Sequence, residues 1–180
     1  MKNKFLKALK KAGDYILNAY IEVFRCTPMM VQAMFFYYFL KDLIGWNMAT
    51  AGMFIISINT GAYMAEIIRS GLQSVDKGQT EAGRSLGLNS AQTMRLIIIP
   101  QAFKNVLPAL INEMIVLLKE TAIIGYIGTI DITKAATLVQ SRTYDALVPL
   151  LSAAIFYLIL VMILTYFMGK LERRLRKSDH

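Results

Sequence analysis

The sequence contains few of the side chains that bind metals or act as nucleophiles. Among its 180 residues there is one cysteine, Cys26, and one histidine, His180 at the C-terminus. A lone cysteine cannot form a disulfide within the chain. Zinc sites need several cysteine, histidine or carboxylate ligands, and a nucleophilic serine or cysteine needs a base, which histidine usually supplies. We therefore predict no catalytic residue and no metal site.

Sequence signatures of enzymes are also missing. No segment matches the G-x-x-x-x-G-K-[ST] loop that binds nucleotide phosphates, so the chain is not expected to hydrolyse ATP. Tyr144-Asp145 offers the Tyr-Asp pair of an intramembrane aspartyl protease, but "GTIDI" at 128–132 lacks the Gly-x-Gly-Asp sequence that such a protease also needs. We predict that the chain is not an enzyme.

Charge is scarce and apolar residues are abundant. Charged residues make up 18% of the chain, hydrophobic residues 56%, and the mean hydropathy is +0.45, which is too apolar for an ordinary soluble domain. The segment 147–169 is apolar on every face, whereas a strand of an outer-membrane barrel alternates apolar and polar residues. The predicted fold class is all-α: a polytopic helical membrane protein with about four transmembrane helices and a short cytoplasmic helix.

Four apolar segments are candidates for the transmembrane helices. They cover residues 29–40, 46–71, 96–122 and 147–169. The first is short and must borrow the residues that follow it, because crossing a bilayer core of about 30 Å takes about 20 helical residues. The third contains Pro100 and Pro108, which are expected to kink or break its helix. Residues 1–27 are lysine-rich with apolar residues at helical spacing, which predicts an amphipathic N-terminal arm at the membrane interface.

The positive residues cluster beside some apolar segments and avoid others. They are frequent in the first 11 residues, between residues 69 and 95, and after residue 169, whereas the other two loops hold few. Loops rich in lysine and arginine stay in the cytoplasm. We therefore predict a multi-pass membrane protein with the loop 76–90 and the basic tail 170–180 in the cytoplasm. The net charge of +8 then reflects membrane orientation, so membrane lipid and not nucleic acid is the expected contact.

The polar segment "EAGRSLGLNS" at 81–90 is predicted to fold as two short helices joined at a turn. Asp76 and Gln79 have the spacing of a capping box for a helix that runs to about Leu86. Gly87 can supply the left-handed residue that ends this helix, and Ser90 can cap the next one. The cytoplasmic loop is therefore expected to be folded.

The surface of this loop admits two interpretations. Ala82, Leu86 and Leu88 offer an apolar surface flanked by Glu81 and Arg84, which suits docking into the groove of a partner protein. A solvated connector that touches only lipid headgroups would be compatible with the same residues. The chemistry of the residues leaves both interpretations open.

Longer stretches of the sequence resemble a known family. Glu81-Ala82-Gly83, followed after three residues by Gly87 and after nine more by Ile97 and Ile99-Pro100, is similar to the cytoplasmic EAA motif of permease subunits of binding-protein-dependent ABC importers. Three segments resemble the polar amino acid uptake branch: "FRCTPMMVQ" (24–32), "NTGAYMAEIIRSGLQSVDKGQTEAGRSLGL" (59–88) and "LPALINEMIVLLKETAIIGYIG" (107–128). The likeness covers nearly the whole chain, so residues 1–180 are expected to form a single permease domain.

The resemblance implies a function, a coupling element, partners and a location in the bacterial plasma (inner) membrane. In this family, a cytoplasmic ATPase dimer grips the EAA helix of two permease subunits and drives the import of an amino acid. By likeness, the coupling element here comprises Glu81, Ala82, Gly83, Leu86 and Gly87. ATP would be bound by the partner ATPase, with no cofactor in this chain. A second permease subunit, of the same or a different chain, and an extracytoplasmic amino acid-binding protein are the other expected partners.

Two features depart from the family pattern. Gly83 stands where the family commonly has alanine, which weakens the helix by about 1 kcal/mol of propensity. Such permeases also usually have a further transmembrane helix before the segment that begins this chain, so Met1 is interpreted as the start of a truncated, alternatively started or fragmentary reading frame. An inactive fragment of a longer permease, a small channel and a non-transporting membrane scaffold are the alternative functions.

Polar residues within the third apolar segment are candidates for the substrate pathway. Asn112 and Glu113 lie about midway through it, and an ionisable group at membrane depth usually has a function. A hydrogen bond between helices at the subunit interface is the alternative for both. Further candidates for the pathway wall are Tyr63, Lys119 and Thr121. Glu66 and Arg69 lie one helical turn apart and are expected to form an ion pair within their helix.

Overall fold

The computed structural model of the chain describes residues 2–177, with side chains described from residue 6 to residue 175. Helices contain most of these residues and no strand occurs among them, which confirms the all-α prediction. The α-helices are α1 (Lys2–Cys26), α2 (Met29–Ile44), α3 (Met48–Gln73), α4 (Lys77–Ser85), α5 (Ser90–Thr93), α6 (Ile99–Glu120), α7 (Ile132–Thr143) and α8 (Leu147–Lys177). A π-helical turn, Met94–Ile98, leads into α6, and a 3-10 helix, Thr121–Ile127, follows it.

Two of the described helices are long and apolar enough to cross a membrane, judged by length and composition. They are α3 and the part of α8 from Leu147 to Leu175. Helix α2 has 16 residues, about 24 Å of helix, which is short of the bilayer core of about 30 Å. Helix α6 has 22 residues, but its sequence includes Lys104, Glu113, Lys119 and Glu120. The first predicted segment is therefore short, as expected, and the third is long but polar.

Helix α6 continues past both of its prolines. Pro100 is the second residue of α6 and closely follows the π-helical turn, so its missing N–H falls where the helical hydrogen-bond pattern is already changing. Pro108 lies inside the helix, which nevertheless runs on to Glu120. Neither proline breaks the helix. The irregular backbone lies before α6 instead, in the π-helical turn, a type of local widening that is rare in helices.

The described residues fall into two compact units, of which the first comprises the residues up to Ala65 together with Ile123–Thr129. Its core is formed by the buried side chains of Ala33, Tyr37, Ala51, Ile55 and Ile127. Gly52 on α3 allows a close approach of the 3-10 helix, because a Cβ at Gly52 would lie 2.6 Å from Cγ2 of Ile124. The turn between α2 and α3 uses Gly45 in a left-handed conformation, with φ of 70°.

The second unit comprises Glu66–Ala122 and the described residues from Ile130 onward. In it, α8 packs against both α6 and α7. Asp131 caps α7 by accepting hydrogen bonds from the backbone N–H groups of Thr133 and Lys134, at 3.0 and 2.9 Å. The hydroxyl of Tyr157 on α8 donates to the same carboxylate at 3.1 Å. Asp131 therefore fixes the start of α7 against α8.

Candidate functional site

The cytoplasmic loop predicted at 76–90 is folded, and it begins with a capped helix. The carboxylate of Asp76 accepts a hydrogen bond from the backbone N–H of Gly78 at 2.6 Å. The predicted capping box with Gln79 does not form, because the side chain of Gln79 has another partner. Its carbonyl oxygen accepts from the side-chain amide of Gln101 on α6, at 3.1 Å. Gln79 thus ties α4 to α6 instead of closing the helix start.

Helix α4 ends in a Schellman motif at Gly87. The N–H of Gly87 donates to the carbonyl of Arg84 at 3.0 Å, and the N–H of Leu88 donates to the carbonyl of Gly83 at 3.1 Å. Gly87 has φ of 82°, a conformation that residues with a side chain rarely adopt. The prediction of a left-handed glycine at this position is confirmed.

Asn89 caps the second short helix, α5. Its side-chain oxygen accepts from the N–H of Gln92 at 2.9 Å, and the side-chain oxygen of Gln92 accepts from the N–H of Asn89 at 2.9 Å. This is a complete capping box. Ser90, the cap predicted from the sequence, is instead the first residue of α5. The spacing Asn89-x-x-Gln92 is visible in the sequence and would have identified the correct cap.

Gly83 packs tightly against the segment that follows α4. It is buried, and a Cβ at this position would lie 2.7 Å from Cγ2 of Thr93 and 3.0 Å from Cδ1 of Ile97. Thr93 is itself 1% exposed. From the sequence, glycine in place of alanine at position 83 is expected only to weaken the helix. The packing shows a second reason for glycine, because Thr93 occupies the space that an alanine methyl would need.

The outward surface of α4 carries other residues of the predicted coupling element. Glu81, Ala82 and Leu86 are exposed, and Leu86 reaches 79% exposure. Leu88, which was expected to extend this apolar surface, is half-buried. Helix α4 therefore has a packed side, at Gly83, and a side left open within the described chain. A partner that docks on the open side would meet Leu86 as its largest apolar contact.

Three contacts fasten the loop to the start of α6. Val75 packs with Ile98 and Ala102 in a buried cluster. The side-chain amide of Asn105 donates to the hydroxyl oxygen of Ser74 at 2.8 Å, and the Gln101–Gln79 bond described above is the third contact. These contacts connect α4 and the turn before it to the start of α6.

The pathway candidates of the second unit lie at the middle and end of α6. Asn112 and Lys119 are both exposed, and their separation of seven residues places them on one face of the helix. Glu113 is half-buried and lies about 100° around the helix from Asn112. Thr121, half-buried in the 3-10 helix, donates its hydroxyl to the carbonyl of Leu118 at 2.7 Å. The structure therefore groups Asn112 with Lys119, and it orients Glu113 differently.

Tyr63, the remaining pathway candidate, lies on α3 in the first unit and is half-buried. The guanidinium of Arg25 lies 5.8 Å from the centroid of its ring, a cation–π distance. In the second unit, Arg69 donates Nε–H to Glu66 at 2.9 Å, which confirms the ion pair predicted within α3. Within the described part of the chain, no three His, Cys, Asp or Glu side chains are close enough together to hold a metal ion.

Comparison with known families gives one match that covers almost the whole chain. Residues 5–177 match the family described as "Binding-protein-dependent transport system inner membrane component". The arginine transport system permease protein ArtQ of Bacillus subtilis (strain 168) is 41% identical over 167 residues, which are 92% of this chain and 76% of that protein. The glutamine transport system permease protein GlnP of Escherichia coli (strain K12) is 36% identical over 167 residues, 91% of this chain and 76% of its own length.

Two solved structures share the fold. One is a crystal structure of an amino acid ABC transporter with histidines, which matches with a TM-score of 0.80 and 47% identity over 87% of this chain and 74% of that chain. The other is the MetNI methionine ABC transporter in an inward-facing conformation, with a TM-score of 0.75 over 93% of this chain and 76% of that chain. Its sequence identity is 19%, so this second likeness concerns the fold alone.

Proposed function

The chain belongs to the family of binding-protein-dependent transport system inner membrane components, and we infer from this membership that it is the transmembrane subunit of an ATP-driven amino acid importer. The observation that carries the inference is the match over residues 5–177 together with relatives that are amino acid permeases. Permeases of this kind are transport components that work with a separate ATPase and a binding protein. The protein is accordingly an inner membrane component.

We propose that α4 and the turn after it are the element that couples ATP hydrolysis to transport. Exposed Glu81, Ala82 and Leu86 would contact the ATPase, Gly83 would hold the helix against Thr93, and Gly87 would set the direction in which the chain leaves it. A large exposed leucine on a short, capped helix is suited to a groove in a partner. ATP would be bound by the ATPase dimer, and this chain would hold no cofactor.

The proposed assembly contains two permease subunits, of the same or different chains, and an extracytoplasmic amino acid-binding protein. The loop 76–90 and the C-terminal tail would face the cytoplasm, since the lysine and arginine residues concentrate there. The binding protein would then deliver its amino acid from the side of Asp131 and α7.

The proposed substrate pathway includes the exposed polar face of α6. Asn112 and Lys119 share that face, which hydrocarbon would not solvate, so water, substrate or the second subunit should cover it. Glu113 would be the acidic group of the pathway, and Thr121 is a further candidate in the same unit. Tyr63, in the first unit, is proposed for the pathway separately.

Reconstitution tests this function directly. The chain would be placed in liposomes with its ATPase and binding protein, and uptake of radiolabelled amino acids, arginine and glutamine among them, would be measured with and without ATP. Uptake that requires ATP and the binding protein is expected. ATP-independent flux through the assembled complex would favour the small channel instead.

The docking surface has its own test, with a matched control on the same helix. Leu86→Asp places a charge at the most exposed apolar residue of α4, whereas Thr80→Asp places the same charge on another exposed face of that helix. We expect Leu86→Asp to reduce the amount of ATPase that co-purifies and Thr80→Asp to leave it unchanged. Equal co-purification in both variants would contradict the proposed docking surface.

A further inference from the structure

Helix α1 makes its contacts with α3 at the middle of that helix. The carbonyl of Phe24 accepts hydrogen bonds from the side-chain amides of Asn59, at 3.3 Å, and Gln32, at 3.1 Å. The hydroxyl of Tyr20 donates to the carbonyl of Ile58. Asn59 is 2% exposed and lies near the centre of α3, one of the two described helices that are long and apolar enough to cross a membrane. The C-terminal end of α1 therefore lies at the depth of the middle of α3.

The opposite end of α1 belongs at the membrane surface. Lys7, Lys10 and Lys11 are exposed there, and ammonium groups stay in water or among headgroups. From Lys11 to Phe24 the helix rises about 20 Å, which exceeds the half-thickness of the hydrocarbon core, about 15 Å. Helix α1 is therefore long enough to run, tilted, from the interface to the middle of the bilayer. In this placement α1 would not be the flat interfacial arm that the amphipathic pattern predicts.

Helix α2 continues from the same depth. Gln32, in its first turn, is 6% exposed and accepts a hydrogen bond from the side-chain amide of Asn59 at 3.0 Å. Its own amide also donates to the carbonyl of Thr27 at 3.0 Å. Since α2 is too short to span the bilayer alone, α1 and α2 together form one span that is interrupted at Thr27-Pro28. Gln32 and Asn59 bind the carbonyls that the interruption leaves without helical partners.

One face of α1 carries polar residues along its whole described length. Successive members are separated by three or four residues, so they form a continuous stripe, and every member is exposed. The stripe consists of Lys7, Lys11, Asp14, Asn18, Glu22 and Arg25. Apolar residues that are also exposed, such as Leu17 and Val23, lie on other faces of the helix. A polar stripe that reaches the middle of a bilayer is too costly to face lipid.

We propose that this stripe lines the cytoplasmic half of the path along which the amino acid moves. The proposal rests on the importer function proposed above. The stripe runs from the lysine-rich end, which the charge distribution assigns to the cytoplasm, to the interruption at mid-depth. The stripe carries charged groups of both signs, and so does a zwitterionic amino acid. A water-filled path would also solvate these exposed charges, which hydrocarbon cannot do.

Thiol labelling tests the stripe against neighbours at the same depth. Starting from the full chain with Cys26→Ala, single cysteines replace Asn18 and Glu22 on the stripe, and Leu17 and Val23 serve as controls. Each variant is assembled with its ATPase in liposomes, and a charged, membrane-impermeant thiol reagent is added on the ATPase side. We expect both stripe cysteines to react roughly tenfold faster than the controls, because reaction requires a hydrated thiolate. A saturating amino acid should slow the stripe cysteines alone.

Every other pattern overturns the proposal. Fast reaction at the stripe positions that a saturating amino acid does not slow would mean that the stripe faces headgroups and bulk water, as in a helix that lies flat in the interface. Stripe cysteines as slow as the controls would mean that another protein surface covers the stripe. Amino acid uptake by the unlabelled variants is measured in parallel. Uptake with the wrong labelling pattern rejects the stripe but leaves the importer function standing, whereas failure of the Cys26→Ala parent to transport any amino acid rejects the importer function.

Discussion

Replacing Gly83 by alanine sets two effects of similar size against each other. Alanine at an interior position of α4 favours the helix by about 1 kcal/mol over glycine. Its methyl group would, however, lie 2.7 Å from Cγ2 of Thr93, whose side chain is buried. Overpacking of this kind costs about 1–3 kcal/mol. We expect packing to outweigh propensity, so that Gly83→Ala destabilises α4 by about 1 kcal/mol.

A double-mutant cycle with Thr93→Ser isolates the packing term. Serine retains the hydroxyl that donates to the carbonyl of Asn89 at 3.0 Å and removes only the crowding methyl group. Alone it should cost about 1 kcal/mol for the lost methyl contact. With Gly83→Ala, the new methyl occupies the vacated space, so the double variant should match the wild type or exceed it. The coupling energy should be about −2 kcal/mol.

Amide hydrogen exchange of α4 is the suitable assay, because it reports opening of the loop and not only unfolding of the whole bundle. One kcal/mol corresponds to about fivefold in the exchange rate of amides that open locally. Protection of the Ala82 and Ser85 amides would be compared across the four proteins. Gly83→Ala could instead increase the protection of α4 by the same factor whether residue 93 is threonine or serine. Thr93 would then not crowd position 83, and helix propensity alone would govern that position.

Three further predictions concern coupling, topology and the pathway. Gly87→Val forces a β-branched residue to φ of 82°, which costs about 1–3 kcal/mol. It should lower uptake per ATP hydrolysed while the complex still assembles. Unchanged coupling in proteoliposomes would remove Gly87 from the coupling element. Single cysteines near Lys77 should be shielded from an impermeant reagent added outside and one near Asp131 should react, whereas the reverse pattern would invert the proposed orientation. Glu113→Gln should weaken a contact to a cationic group of the substrate by about 1.5–3 kcal/mol, measured as apparent affinity for uptake. Unchanged affinity for both cationic and neutral amino acids would make Glu113 a structural residue.

The features that the sequence predicts well are those set by nearby residues. The left-handed Gly87 and the Glu66–Arg69 ion pair depend on residues no more than five positions apart, and both are confirmed. The role of Gln79 depends on Gln101, 22 positions away, so its capping spacing is misleading. The crowding at Gly83 is likewise tertiary, since Thr93 reaches it only after the chain turns at Gly87.

Long-range contacts also determine how motion in the coupling loop can reach the proposed pathway. Ser74 and Gln79, on either side of the start of α4, are each hydrogen-bonded to α6 within its first two turns. From Gln101 the helix rises about 17 Å to Asn112, so α6 connects the contacts of the loop to the proposed pathway residue. The π-helical turn precedes α6 and begins directly after Thr93, on which Gly83 packs. In the proposed coupling, an ATPase that moves α4 would therefore act on both sides of this turn, through Thr93 before it and through Gln101 after it.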